Sequence, residues 1–337
     1  MSVTGLNMEN ASVQNGSNGN GFFDESYDFY FPHPTLVYIT SALTIEVTFV
    51  NVVIIWLFAQ KKNRSPVTIL LCSLAIADII SALMSSIPYF VGYMFYSNHI
   101  KNQTWSTNYP LCWILYWFFS ATFILHLPSV YLTAALSVQK TIVVLFPLWS
   151  SIHINTKVSL RVSILIFVFV FGIFVSLNVL HSFYHTCIVT NDIVRDVSSN
   201  LMNVAYISYF LSVATVLVST GILCSKLTCL RSNFQLMNSN KGHSHQKQKL
   251  RSAIVVVLIS VIFILFESIY FFFILSVYLG FFNVDFTLDT DLGQCQSLFL
   301  SVGYSLNFIV YILMGKNLRN KIIGSIKNLC SCFHCCN

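Results

Sequence analysis

The run from Cys112 to Lys140 constrains the fold of this chain more than any other feature. It contains no Asp, Glu, Lys or Arg before Lys140. As an α-helix, at about 1.5 Å per residue, the run is longer than the roughly 30 Å hydrocarbon layer of a bilayer. Pro147 follows the lone cation and ends the helix. The run is therefore predicted to be a tilted transmembrane helix.

The composition also indicates a chain that folds in lipid. Charged residues make up 9% of the 337 residues, against roughly 25% in soluble proteins. The mean hydropathy is +0.71, and a soluble fold of this length could not bury so much apolar surface. The net charge of +6 therefore does not indicate nucleic-acid binding. The first 35 residues have no apolar core, no Lys and no Arg, so no cleavable signal peptide is expected.

Seven apolar segments are long enough to cross a bilayer as helices. They predict an all-α membrane protein, a seven-transmembrane helix bundle with its two termini on opposite sides. The transmembrane domain is predicted to span residues 35–315. The seven predicted spans are residues 36–59, 67–95, 112–144, 162–183, 202–223, 252–278 and 298–314.

The distribution of charge predicts that the N-terminus lies outside. In that orientation 16 of the 18 Lys and Arg residues are cytoplasmic, and only Lys101 and Arg195 lie outside. Cytoplasmic loops are the ones enriched in cations. Nine of the 12 acids fall outside, and Glu46, Asp78 and Glu267 lie within spans. The reverse topology would place sixteen cations outside.

The extracellular tail is predicted to be residues 1–34, which are acidic and rich in Asn, Gly and Ser. Such a composition cannot support a core and predicts disorder. Glycosylation is predicted at Asn10, Asn15 and Asn102, each of which begins an Asn-x-Ser/Thr triplet on the outer side.

The cytoplasmic tail is predicted to be residues 316–337. Its cysteines follow a basic stretch, which favours S-acylation; metal binding with His334 is the alternative. The acylation candidates are Cys330, Cys332, Cys335 and Cys336.

Several motifs resemble those of rhodopsin-like (class A) G-protein-coupled receptors over most of the chain. Asn51 stands where the family has an asparagine in span one, and residues 73–78 match its Leu-Ala-x-x-Asp motif. Residues 307–311 match Asn-Pro-x-x-Tyr, with Phe308 in place of the proline. The resemblance implies a short amphipathic helix eight from residue 316, a plasma-membrane location, an extracellular ligand and a heterotrimeric G protein.

The resemblance also implies a disulfide between Cys112 and Cys187. Both cysteines are predicted to lie at the outer surface, where the oxidising environment permits a bridge.

Asp78 is predicted to be buried in mid-membrane, where a carboxylate needs polar partners. Ser129 and Asn307, on neighbouring spans, are the candidates. In the family this cluster holds a sodium ion, so Na⁺ is a candidate ligand; a protonated Asp78 without an ion is the alternative.

The departures from the family concern its activation residues. The family's Asp/Glu-Arg-Tyr is replaced by Gln139-Lys140-Thr141, and Lys lacks the bidentate guanidinium group. Lys140 and Tyr311 are predicted to form the floor of the cytoplasmic crevice. Together with Glu267, which replaces the span-six tryptophan, they are the predicted activation switch. These departures resemble the invertebrate FMRFamide, myoinhibitory and sex-peptide receptors and related nematode chemoreceptors.

Ligand classes can be compared at two positions. Thr122 stands where amine receptors need an aspartate, and Ser301 stands where opsins need a lysine. Acidic outer loops would attract cations, which favours basic peptides.

Glu267 is predicted to be either a buried hydrogen-bonding group or the floor of the ligand pocket, and His126 is predicted to be a packed polar residue. The candidate pocket residues are Tyr116, Phe119, Thr122, Tyr270 and Tyr304, with ordinary packing as the alternative for each.

The predicted function is therefore a receptor that binds an extracellular ligand, a neuropeptide, and activates a G protein. The alternatives are a small-molecule chemoreceptor and a weakly coupled or uncoupled relative. A transporter or channel would need internal repeats and paired intramembrane charges, and the sequence contains no repeat between its halves and three intramembrane acids with no opposing cation. No nucleophile motif, phosphate loop or metal-ligand cluster suggests an enzyme.

Overall fold

The structure, a computed structural model, describes the following parts of the chain: residues 27–30, 32–60, 64–96, 104–107, 111–186, 192–236, 243–278 and 294–306. Most of these residues are helical. The helices are α1 (Pro34–Ala59), α2 (Pro66–Tyr96), α3 (Leu111–Leu145), α4 (Pro147–His153), α5 (Thr156–Thr186), α6 (Asp192–Leu236) and α7 (His243–Tyr278). A further helical segment covers residues 294–306.

Five of the described helices are long and apolar enough to cross a membrane, namely α1, α2, α3, α5 and α6. α7 contributes a shorter apolar stretch, Val256–Ile269, and residues 294–306 belong to the predicted seventh span. This arrangement is the predicted all-α bundle, with the short helix α4 between the third and fourth spans. The fifth span differs in length, since α6 extends beyond the predicted residues 202–223 at both ends.

A two-stranded ribbon lies outside the bundle. β1 (Tyr27–Tyr30) pairs antiparallel with β2 (Thr104–Thr107), so that Tyr27 lies opposite Thr107. The tail is also attached to α2, because the hydroxyl of Tyr93 donates to the carbonyl oxygen of Pro32 at 2.7 Å. The disorder predicted for residues 1–34 therefore does not extend to residues 27–30. Aromatic residues favour strands, and a partner strand in the loop satisfies the backbone groups of the segment.

The outer faces of the helices are apolar. Large hydrophobic side chains are exposed along α1, α5 and α6, including Ile45 at 73%, Leu165 at 66% and Val218 at 64% exposure. Exposed apolar surface of this extent is expected where lipid rather than water surrounds the helices.

α3 lies at the centre of the bundle. In its most apolar 18-residue stretch 67% of the residues are buried, against 28% in α5. Leu132 and Leu136 pack with α1, α2 and α7 in one apolar cluster. Ile124 and Leu127 pack with α5 and α6 in another. A polar side chain on α3 can therefore reach several helices at once.

Candidate functional site

Asp78 on α2 and Ser129 on α3 are in contact. The hydroxyl of Ser129 donates to Oδ1 of Asp78 at 2.7 Å, and the two residues are 1% and 2% exposed. The structure thus brings together two of the three residues expected in the polar cluster. The third, Asn307, lies outside the described residues.

Glu267 on α7 contacts two other helices through its two carboxylate oxygens. Oε1 lies 2.6 Å from Nε2 of His126 on α3. Oε2 accepts a hydrogen bond of 2.8 Å from the hydroxyl of Tyr209 on α6. All three residues are at most 3% exposed. We call this arrangement of Glu267, His126 and Tyr209 the Glu267 junction.

Tyr304, on the 294–306 segment, connects the junction to α2. Its hydroxyl lies 2.9 Å from Nδ1 of His126 and donates to the hydroxyl of Ser81 at 3.2 Å. Tyr304 is 6% exposed and packs with Val47 and Ala82. Tyr304, predicted as a pocket residue, therefore lies in the core of the bundle. The polar core of the protein comprises Asp78, Ser81, His126, Ser129, Tyr209, Glu267 and Tyr304.

The spacing of these residues along their helices explains how they meet. Asp78 and Ser81 are three residues apart on α2, and His126 and Ser129 are three apart on α3, so each pair lies on one helical face. A buried ionisable group is costly unless it is paired and hydrogen-bonded. The polar core meets that requirement for Glu267 and His126.

His126 is a packed polar residue, as predicted, and it is 3% exposed. Its ring contacts Glu267 through one nitrogen and Tyr304 through the other. Glu267, one of the three intramembrane acids, has His126 as a hydrogen-bonding partner on another helix, which the sequence did not predict. A histidine within an apolar span that has no Asp or Glu was the signal from which this pair could have been found.

A small cavity lies beside Glu267. The space open to the centre of a water molecule is ≈ 20 Å³, which is room for about one or two waters. Ser129 and Thr133 supply hydroxyl groups to its wall. Gly303 also lines it. A Cβ atom at this position would lie 3.1 Å from the ring of Phe266. Its α7 lining includes Ile259, Phe263 and Phe266.

The Lys140 region lies at the other end of α3. Lys140 and Gln139 are each 8% exposed. Thr141 donates to the carbonyl oxygen of Ser137 at 2.9 Å and to that of Ser219 on α6 at 3.3 Å. Lys140 is thus buried in the bundle, and its neighbour Thr141 contacts α6.

Many of the predicted site residues fall where the structure gives no side-chain description. Tyr116, Phe119 and Thr122 lie on α3, Tyr270 on α7 and Cys112 at the start of α3, and their side chains are outside the described part. The remaining predicted residues lie outside the described residues altogether: Cys187, Tyr311, Asn10, Asn15, Asn102, Cys330, Cys332, Cys335 and Cys336.

Comparison with known proteins gives a consistent match. The family described as "7 transmembrane receptor (rhodopsin family)" matches residues 50–311. Proteinase-activated receptor 2 of Rattus norvegicus is 24% identical over 219 residues, which cover 64% of this chain. The match spans about half of that relative, 52% of its length.

Proposed function

The chain belongs to the rhodopsin family of seven-transmembrane receptors, and from this membership we propose that it binds an extracellular neuropeptide and activates a heterotrimeric G protein. The observation that carries the proposal is the family match over residues 50–311. The match begins within the first predicted span and ends within the seventh, so it covers the five spans between them in full. Members of this family are generally signalling receptors rather than enzymes. The chain is a multi-pass membrane protein, and we propose the plasma membrane as its location.

The choice of a peptide ligand rests on charge. Five acids lie in the two predicted outer loops after spans four and six: Asp192, Asp196, Asp285, Asp289 and Asp291. A field of this sign raises the encounter rate with cationic ligands. A retinal ligand is disfavoured, since Ser301 stands where opsins have a lysine and a serine hydroxyl cannot form a Schiff base. An amine ligand is also disfavoured, because Thr122 stands where amine receptors need an aspartate.

The inner face supplies the proposed contact with the G protein. Lys140 takes the place of the family's arginine and is buried in the bundle. An outward movement of α7 would open a crevice in front of it. The family's acid restraint is absent at Gln139, so the resting state of this receptor must be held by other contacts.

We also propose a sodium ion at Asp78. Na⁺ prefers oxygen ligands, as other hard cations do, and Asp78 and Ser129 present a carboxylate and a hydroxyl 2.7 Å apart in a buried site. Asn307 is the third proposed ligand. A bound cation would offset the cost of burying the carboxylate.

The function is tested with a G-protein dissociation assay in cells that express the full chain and a promiscuous Gα subunit. The cells are challenged with a panel of amidated invertebrate neuropeptides. We expect a response to at least one peptide, and its loss in Lys140→Ala. Lys157→Ala, which removes an exposed cation at the start of α5, is the matched control and should respond normally.

A silent receptor at confirmed surface levels would contradict the peptide proposal. A response to metabolite extracts would then support the small-molecule chemoreceptor. Silence with both ligand sets would support a weakly coupled or uncoupled relative.

A further inference from the structure

The Glu267 junction connects α7 to the two helices beside it at one point. His126 of α3 contacts one oxygen of the Glu267 carboxylate at 2.6 Å, and Tyr209 of α6 donates to the other at 2.8 Å. All three side chains are excluded from the surface. Either contact alone would position Glu267, and the two together hold α7 against both neighbours.

α7 has no residue at which it could bend. The range His243–Tyr278 is one uninterrupted helix without proline or glycine. α2 and α3, by contrast, contain Pro88 and Pro128 within their helices. Sharp kinks arise at proline, at Gly/Ser pairs, at bulges or where a group inserts into the helix. α7 must therefore move as one body, and a contact in its middle restrains both ends.

The described part of the inner half of α7 is held by one hydrogen bond and by apolar packing. A hydrogen bond of 2.8 Å joins Ser137 to Ser260, and Val256 and Ile259 pack against α3. Between Ser260 and Glu267 lies the cavity, lined by Thr133, Ile259 and Phe263. Dispersion contacts are lost across such a gap. Among the described side chains of α7, Glu267 makes buried hydrogen-bonding contacts to two neighbouring helices.

We propose that the Glu267 junction is the restraint that keeps α7 against α3 in the resting receptor, and that activation requires its release. His126 is the positioning residue on α3, and Tyr209 steadies the carboxylate from α6. The junction takes the role that a pair at the inner end of α3 cannot fill, since Gln139 carries no charge. This inference rests on the proposed receptor function, but its test does not require a G protein or a known ligand.

The test measures how accessible the inner half of α7 becomes. Ser260→Cys is introduced into the full chain, since Ser260 is 1% exposed and lies against α3. Receptor in lipid nanodiscs is treated with N-ethylmaleimide, and labelling at position 260 is followed by mass spectrometry. Peptide-level detection separates this site from the native cysteines.

In this background, Glu267→Leu and His126→Gln should raise the labelling rate at position 260. We expect roughly fivefold or more, the lower end of usual coupling between two states. Glu267→Gln, which keeps the shape and part of the hydrogen bonding, should have a smaller effect. The exchange of the two residues, His126→Glu with Glu267→His, should return the rate toward that of the parent.

The matched control is Tyr131→Phe. The hydroxyl of Tyr131 contacts that of Ser208, so this variant removes a polar contact between α3 and α6 without touching α7. Its labelling rate should stay at that of the parent. If Glu267→Leu does not fold, Tyr209→Phe removes one of the two contacts and should still raise the rate.

Unchanged labelling in the folded junction variants would overturn the proposal, as would an equal rise in Tyr131→Phe. If labelling rises but no G protein responds in cells, the restraint stands and the coupling function fails. The two results are therefore distinguishable.

Discussion

Nε2 of His126 lies 2.6 Å from Oε1 of Glu267, in the middle of a bundle whose exposed surface is apolar. The two residues are 141 positions apart in the chain. Their contact joins the central helix α3 to α7, and through Tyr304 it reaches α2. Asp78, His126 and Glu267 thus lie in one part of the bundle, whereas Glu46 is exposed on α1 and Lys140 lies near the other end of α3.

Removing both members of this pair should cost clearly less than the sum of the two single losses. His126→Leu leaves Oε1 of Glu267 without its partner, and Glu267→Leu leaves Nε2 of His126 buried without its partner, so each should lower the free energy of unfolding by about 1–3 kcal/mol. The double variant leaves neither group unpaired and should lose clearly less than the sum. SDS titration of the purified receptor measures the three values. Strict additivity would mean that the two side chains do not interact.

Sodium should stabilise the receptor through Asp78. We expect the melting temperature to be higher in sodium chloride than in choline chloride at equal ionic strength, because an ion that binds the native state stabilises it. Asp78→Asn and Ser129→Ala should each abolish the difference. Ser163→Ala is the control, since Ser163 is buried on α5 and its hydroxyl donates to the carbonyl oxygen of Ser159 in its own helix. A sodium effect that persists in Asp78→Asn would rule out this site.

Bulk at Gly303 should disrupt the bundle. A Cβ atom there would already lie 3.1 Å from the ring of Phe266, so Gly303→Val should lose about 1–3 kcal/mol of stability through overpacking. Gly221→Val is the matched change on α6, where a Cβ atom meets nothing within 4 Å. Surface expression and melting temperature compare the two variants. Equal behaviour would show that the helices can separate at Gly303 without cost.

Asn102 should carry a glycan, which tests the predicted orientation. Asn102→Gln and Thr104→Ala both destroy the same Asn-x-Thr triplet, and each should shift the protein to the same lower apparent mass on a gel. Treatment with an N-glycosidase should remove the difference between variant and parent. A loop that faced the cytoplasm would show no shift in either variant.

Loss of the Tyr93 hydroxyl should loosen the N-terminal tail. The hydroxyl donates to Pro32 at 2.7 Å, and Tyr93 is 8% exposed. In Tyr93→Phe we expect faster protease cleavage between residue 27 and α1, with α1 to α3 intact. Tyr38→Phe, which keeps the ring contact with Phe90, should cleave at the rate of the parent. Equal rates in all three would mean that this hydrogen bond does not hold the tail.

Hydropathy predicted the spans because an apolar segment in a bilayer must make its backbone hydrogen bonds within itself, and a helix does so. The predicted start of the second span, residue 67, is one residue from the start of α2 at Pro66. α6 is longer than its predicted span because a helix does not have to end where the hydrocarbon layer ends. β1 was not predicted, since it depends on a partner strand that is distant in the chain.

Some contacts of the polar core could be predicted from the sequence and others could not. The contact of Asp78 with Ser129 could be predicted, because an acid in mid-membrane needs a partner and Ser129 was a polar candidate on the neighbouring span. Glu267 could be identified as unusual for the same reason. Its partners could not, because they depend on how α3, α6 and α7 are rotated and how deeply each is set.

The sequence by itself determined the solvent, the number of spans and the acids that needed partners, because apolar length and the cost of burying charge are local properties of each segment. Only the tertiary structure decided that His126 and Tyr209 meet Glu267 and that Tyr304 joins them to Ser81. Those contacts depend on how the packed helices are rotated relative to one another. The apolar residues that face lipid do not determine this rotation, so it could not be predicted from the sequence. The rotation is set by side-chain packing across the whole bundle.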